Sequence, residues 1–229
     1  MTPANTGHFL SSLCMRKRPG VSIGLLCLSG ASAFALGGGS LARRSPSSHG
    51  LASVQMARVP KVVAFDLDAT LWYPEMYQLW GGGAPFKKQA DGTLLDKSGT
   101  KCYMMGDTAA IIRELKTDPK WKDTKVAYCS CTDEPSWADE CMIKFEVGDG
   151  ITLQSAVDIK EIFKSQKTTH FKNIQKKTGI AFEDMIFYDN EEHNCRTVKS
   201  LGVHCVYTPR GMTREVWESS LADFAKRKS

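Results

Sequence analysis

The chain has 229 residues, 42% hydrophobic and 24% charged, which bounds it to one or two globular domains. Its formal net charge of +5 is unevenly placed: residues 1–60 hold six of the 30 Lys and Arg and none of the 25 Asp and Glu, leaving 24 basic against 25 acidic, a net of −1. The overall basicity therefore belongs to the leader, and nucleic acid is not an expected partner.

Within that leader, Arg16-Lys17-Arg18 precedes the apolar run Val21 to Leu28 and then Ala31-Ser32-Ala33-Phe34-Ala35. A basic start, a short apolar core and an Ala-x-Ala site read as a secretory signal, too short for a membrane span; the Gly-, Ser- and Arg-rich, acid-free stretch that follows reads as a transit peptide. The tandem resembles the bipartite presequences that carry proteins into the plastids of algae with secondary plastids, where a Phe follows signal cleavage. Residues 1–57 are thus expected to be a presequence and 58–229 the folded domain, plastid-located, with a mitochondrial or cytosolic location as the alternative and no membrane association once mature. Of eight cysteines, Cys14 and Cys27 fall in the leader; the other six show no C-x-x-C pair and no zinc spacing, which fits small core residues in a reducing compartment.

Past the leader, Val62-Val63-Ala64-Phe65 is a continuous apolar run ending in Asp66-Leu67-Asp68-Ala69-Thr70-Leu71-Trp72. Such a run predicts a buried parallel strand that delivers two carboxylates to the carboxyl edge of its sheet, where open α/β sheets bind ligands. Residues 73–106, with Pro74, three consecutive glycines from Gly81 and Asp91-Gly92, predict loop with a small hairpin, too short for a cap domain of its own. Asp107 is expected to cap a helix reaching about Lys116. Lys125 to Ser130 predicts a second strand, followed by a helix with Trp137, Cys141, Met142 and Phe145. Ala156–Phe163 predicts a third strand, and Thr168–Lys177 a helix stopped by Gly179. Met185 to Asn190 repeats the apolar-then-polar pattern; a helix from about Glu192 to Leu201, a strand from Val203 to Tyr207 and an amphipathic helix with Val216, Trp217, Leu221 and Phe224 complete the chain. This alternation predicts a Rossmann-like, doubly wound parallel sheet of about five strands with a minimal cap.

Two carboxylates two residues apart at a strand end suit phosphoryl transfer. Asp66 would attack phosphorus, and Asp68 would protonate the leaving oxygen and later take a proton from water. Anions beside a phosphate call for a hard divalent cation, Mg²⁺, with Asp66, Asp68, Asp189 and Asn190 as ligands or their orienters. Ser130 sits at the same edge, able to bind a phosphoryl oxygen. Lys167 can neutralise phosphate charge from a helix start, with Lys160 and Lys164 as competitors. His170 and His193 are expected to be structural or on the surface. Trp72, Tyr77 and Trp80 are expected to wall an open site.

The D-x-D-x-T-L pattern resembles the nucleophile motif of the haloacid dehalogenase superfamily. More specifically, residues 61–228 resemble its magnesium-dependent phosphatase-1 family. The resemblance is carried by Phe65-Asp66-Leu67-Asp68 with Thr70-Leu71-Trp72, Pro85-Phe86, Asp91-Gly92, Ser130 with Thr132, Lys167 with Thr169-His170-Phe171, Lys177-Thr178-Gly179, and Asp189 with Glu191 and Asn194. It implies Mg²⁺ dependence and hydrolysis of phosphomonoesters, phosphotyrosine and sugar phosphates among them, and a phosphate contact from the Leu67 amide. The expected substrate is a phosphorylated small molecule or phosphoprotein, and the expected state a monomer. One departure stands out: the family commonly has Arg after the motif serine, and this chain has Cys131, a substrate-contact position without its guanidinium. The competing reading is a catalytically weak module that binds phosphoproteins, suggested only by Cys131 and Asn190.

Overall fold

The computed structural model describes residues 58–227, so the expected presequence lies outside the described residues. The first strand, β1 (Val62–Phe65), is buried at every position. Its alternate side chains enter two different cores, Val63 and Phe65 on one face and Val62 and Ala64 on the other. A strand buried on both faces has no polar alternation, which is why its sequence is unbroken apolar.

After a tight turn come four short strands, β2 (Trp72–Tyr73), β3 (Lys87–Lys88), β4 (Leu94–Leu95) and β5 (Lys101–Met104), in the antiparallel order β2-β5-β4-β3. The hairpin expected within residues 73–106 is β3–β4, turning at Asp91-Gly92, and β5 and β2 extend it into a sheet. The buried Asp96 carboxylate fixes its approach, accepting from the amides of Gly83 (2.9 Å), Ser98 (2.9 Å) and Thr100 (2.7 Å). Removing a charged acceptor that satisfies several amides is costly. Asp96→Ala should lower unfolding stability by about 3 kcal/mol, seen as a shifted urea midpoint with an unchanged m-value.

The chain continues through α1 (Thr108–Thr117), β6 (Lys125–Ser130), α2 (Pro135–Lys144), the ribbon β7 (Glu146–Gly148) and β8 (Ile151–Thr152), α3 (Leu153–Ala156) and β9 (Ile159–Ile162). Then follow α4 (Lys167–Thr178), β10 (Met185–Asp189), α5 (Glu192–Lys199), β11 (His204–Tyr207) and α6 (Arg214–Lys226). The strand expected over Ala156–Phe163 begins three residues later, because a Thr152–Ser155 capping box winds the preceding segment into α3. Asp107 precedes α1 but caps nothing in it; its carboxylate accepts from the Arg214 amide at 2.6 Å and ties the start of α6 instead.

Five parallel strands make the main sheet, in the order β11-β10-β1-β6-β9. Trp217 and Phe224 of α6 and Ile111 of α1 pack on one face, and Phe171 and Ile174 of α4 with Val198 of α5 on the other. The doubly wound α/β fold is therefore as the sequence predicts. No helix among the described residues is long and apolar enough to cross a membrane.

Candidate active site

The strand order reverses between β1 and β10, the point at which doubly wound sheets open a crevice at their carboxyl edge. Phe65 lies opposite Tyr188, so the next residue of each chain segment, Asp66 and Asp189, meets at that edge. Lys167, the first residue of α4, reaches in from the far side. Its ammonium donates to Asp66 Oδ1 and to the Cys129 carbonyl oxygen (2.5 Å) and stands 3.3 Å from Asp189 Oδ2. Lys160 and Lys164 pair on the surface with Asp139 and Asp133 instead.

All three charged groups are buried. Burial works against the Lys167 ammonium, but Asp66 and Asp189 outweigh it and hold its pKa above the ordinary lysine value. Burial lifts the Asp66 carboxyl to about 8, opposed by Lys167 and reinforced by Asp189 and Asp68. One ammonium among these carboxylates leaves negative charge uncompensated, so the site has room for a further cation.

Beyond Asp66 the chain turns back at once. Ala69 takes a left-handed conformation (φ +54°), its amide donating to the Trp72 carbonyl at 2.7 Å, and the Leu71 amide donates to Leu67 at 2.8 Å. That turn swings Asp68 over the strand end, where Trp72 Nε1 (2.7 Å) and the Met76 amide (3.3 Å) hold its two carboxylate oxygens. Burial raises Asp68 to about 6, restrained by the bonds from Met76 and Trp72. Trp72 is thus fully buried as an anchor for Asp68 and not a wall of the cleft, and Trp80, 85% exposed, lies outside the cleft lining; of the three expected aromatics only Tyr77 lines it.

One end atom of the Asn190 amide stands 3.2 Å from the Asp68 main-chain oxygen and 3.3 Å from Asp66 Oδ2. With nitrogen there the amide donates to both; with oxygen there, three oxygens converge, an arrangement that a hard cation stabilises. The residues present therefore fit Mg²⁺, through the Asp66 carboxylate, the Asp68 carbonyl and the Asn190 amide. No group of three His, Cys, Asp or Glu side chains suited to a metal occurs among the described residues, so the three carboxylates Asp66, Asp68 and Asp189 do not converge by themselves on one ion. Asp189 is otherwise engaged: it accepts from the Glu191 amide (2.7 Å) and, on both oxygens, from Asn194 Nδ2 (3.2 and 3.1 Å).

Ser130 lines the cleft, its Oγ accepting from the Thr132 amide at 3.2 Å and its proton left to donate. The Leu67 amide has no partner among the described residues. Cys131 also lines the cleft, but its thiol donates to the Ser165 carbonyl at 2.9 Å and burial raises its pKa, which makes it a poor thiolate and a plain small side chain. His170 is a core residue bonded to the Phe163 carbonyl, its pKa lowered to about 4 by burial and Lys167; His193 is exposed beside Glu191. Two contributors had gone unassigned in the sequence: Asn194, which orients Asp189, and Thr70, whose Oγ1 accepts from the Asn190 main-chain N–H at 3.0 Å.

A carboxylate pair presented at the switch point of such a sheet, bridged by a buried lysine, defines a hydrolase of the haloacid dehalogenase type. The acid phosphatase family's sequence model matches residues 58–227, and the chain belongs to that family. It is 33% identical over 174 residues to Magnesium-dependent phosphatase 1 of Homo sapiens, covering 75% of this chain and 90% of that protein. A HAD-like hydrolase superfamily protein of Schizosaccharomyces pombe is 35% identical over 160 residues, covering 66% of this chain and 86% of its own length. The phosphatase-domain part of a Bacteroides fragilis protein, solved with Mg, aligns at a TM-score of 0.48 and 17% identity, over 74% of this chain and 40% of that one, a likeness too distant to bear on the site.

Proposed function

We propose that this phosphatase is an Mg²⁺-dependent phosphomonoesterase working through an aspartyl phosphate on Asp66. The observation that carries the reading is the Asp66 carboxylate itself, one oxygen bound by Lys167 and the other beside the end of the Asn190 side-chain amide, which also meets the Asp68 carbonyl. A bound Mg²⁺ would supply positive charge to the carboxylate and the phosphoryl oxygens. Asp66 forms the new bond to phosphorus as the ester P–O bond breaks, and Asp68 gives its proton to the departing oxygen. Water then displaces Asp66, with Asp68 taking the proton back. Ser130 and the Leu67 amide hold phosphoryl oxygens, while Asp189 and Asn194 fix Lys167 and the site's geometry. A module that only binds phosphoproteins has no need of a second carboxyl held by the Trp72 indole and the Met76 amide beside the first.

The test is turnover of p-nitrophenyl phosphate with Mg²⁺ and its loss on chelation; activity unaffected by exhaustive chelation overturns the metal assignment. Because Asp68 must enter the first step protonated, the rate on alkyl phosphates relative to p-nitrophenyl phosphate should fall about tenfold per pH unit above its pKa. The ratio cancels substrate ionisation, and a ratio that stays flat from pH 5 to 9 removes Asp68 from the acid role.

The substrates are aryl or tyrosyl phosphates, sugar phosphates or both, since the small antiparallel sheet leaves the cleft open, and the working form is a monomer. Residues 1–57 are the plastid presequence of the precursor. A fluorescent reporter fused to residues 1–60 should enter the plastid of an alga with secondary plastids, and Phe34→Ala should divert it; a reporter that stays cytosolic rules this out.

A further inference from the structure

The catalytic cleft is small, about 150 Å³, and a larger groove of about 730 Å³ adjoins it. The two share Cys131, Lys167 and Asn194 in their linings, so they meet at these residues. The Cys131 thiol is turned onto the Ser165 carbonyl, and a side chain of two heavy atoms held that way leaves more room between cleft and groove than a longer one would. The chemistry of the lining changes sharply across the junction. The cleft presents Asp66, Asp68, Glu75 and Glu191, whereas the groove has no carboxylate among its described lining residues. It offers Gln166, Thr168 and Thr197, which donate and accept hydrogen bonds, together with Lys164 and His193.

We infer that this groove is a leaving-group subsite, for phosphomonoesters whose alcohol is a hydroxylated chain ending in a second anionic group. The inference rests on the phosphomonoesterase reading and goes beyond it in naming the far end of the substrate. A phosphate seated at Asp66 leaves its ester oxygen two ways out, toward the acidic rim of Glu75 and Glu191 or past Cys131. A second anion is repelled by the first route and accepted by the second. Lys164 is able to change partners: its pair with Asp133 is exposed on both sides, 76% and 57%, and pairs of that kind hold weakly. The hydroxyls of the chain meet the neutral amide and hydroxyl groups between.

The experiment compares three substrates with Mg²⁺ present: p-nitrophenyl phosphate, glucose 6-phosphate and 6-phosphogluconate. The last two have the same number of carbons; glucose 6-phosphate is a pyranose ring ending in a neutral anomeric carbon and 6-phosphogluconate an open chain ending in a carboxylate, and the Lys164 variant isolates the charge from the shape. The expected result is a kcat/KM for 6-phosphogluconate about tenfold above that for glucose 6-phosphate, expressed in KM, and Lys164→Ala should abolish the difference. Thr197→Trp, an exposed position on α5, should fill the groove and depress both sugar substrates while p-nitrophenyl phosphate turnover stays at its original rate. Equal kcat/KM for the two sugar substrates, or a Thr197→Trp variant that treats all three alike, overturns the subsite. Failure to turn over p-nitrophenyl phosphate at all would instead overturn the phosphatase mechanism on which it rests.

Discussion

Asp66→Asn should reduce kcat by at least about 10⁴-fold, because an amide cannot form the acyl phosphate and no second carboxylate stands where its oxygens do. The fold should persist. Asp66 is buried with its pKa raised by that burial, and the amide that replaces it keeps an oxygen for Lys167 without carrying a charge out of water. Thermal unfolding should therefore show the variant as stable as the parent or more so, the usual relation where a group is held for chemistry against its own solvation. Residual turnover within tenfold of the parent, in a protein verified free of contaminating phosphatase, would move the nucleophile elsewhere.

The sequence shows this aspartate because its signal is local. Four apolar residues buried on both faces and then two carboxylates are legible without any knowledge of what packs against them. The same holds for β6 and β10, whose buried runs end at Ser130 and Asp189. The small antiparallel sheet was legible only as a hairpin, since three of its strands have only two residues and exist through their partners rather than through any periodicity. Trp72 misled for a related reason. An aromatic next to a site motif reads as a wall, but whether it faces solvent depends on the turn at Ala69, which returns its indole N–H to Asp68. Lys167 was recoverable only in part: neither composition nor spacing separates it from Lys160 and Lys164. What separates them is burial: Lys167 opens α4 and is buried against Asp66 and Asp189, whereas Lys160 and Lys164 pair with surface carboxylates. Asn194 belongs to the same class, a polar residue one turn into a helix whose role exists only because Asp189 lies beneath it.

Lys167→Met carries the second large effect, and it divides between stability and rate. The methionine fills a similar volume but leaves Asp66 and Asp189 buried without their ammonium, and breaking a buried ion pair from one side costs about 3–5 kcal/mol. The loss should depend on pH with a definite sign. The Asp66 carboxyl has a folded-state pKa lifted by burial, to about 8 even with Lys167 present, and loss of the lysine removes an opposing influence and lifts it further. A raised carboxyl binds its proton more tightly folded than unfolded, so the variant's stability is greatest in acid and declines as pH rises toward that folded value. The parent's own carboxyl declines in the same way up to about 8, so the deficit relative to the parent should be nearly flat below that pH and widen above it. Activity should fall about 10³-fold or more, because the ammonium that positions Asp66 and offsets the phosphoryl charge is gone. Added Mg²⁺ should recover part of the stability, since it brings positive charge to the carboxylate that lost its ammonium. Urea midpoints measured from pH 5 to 9, with and without Mg²⁺, decide the matter. A deficit that is constant across the whole range would mean that Lys167 acts through packing alone and that its contact with Asp66 does not oppose the effect of burial on that carboxyl.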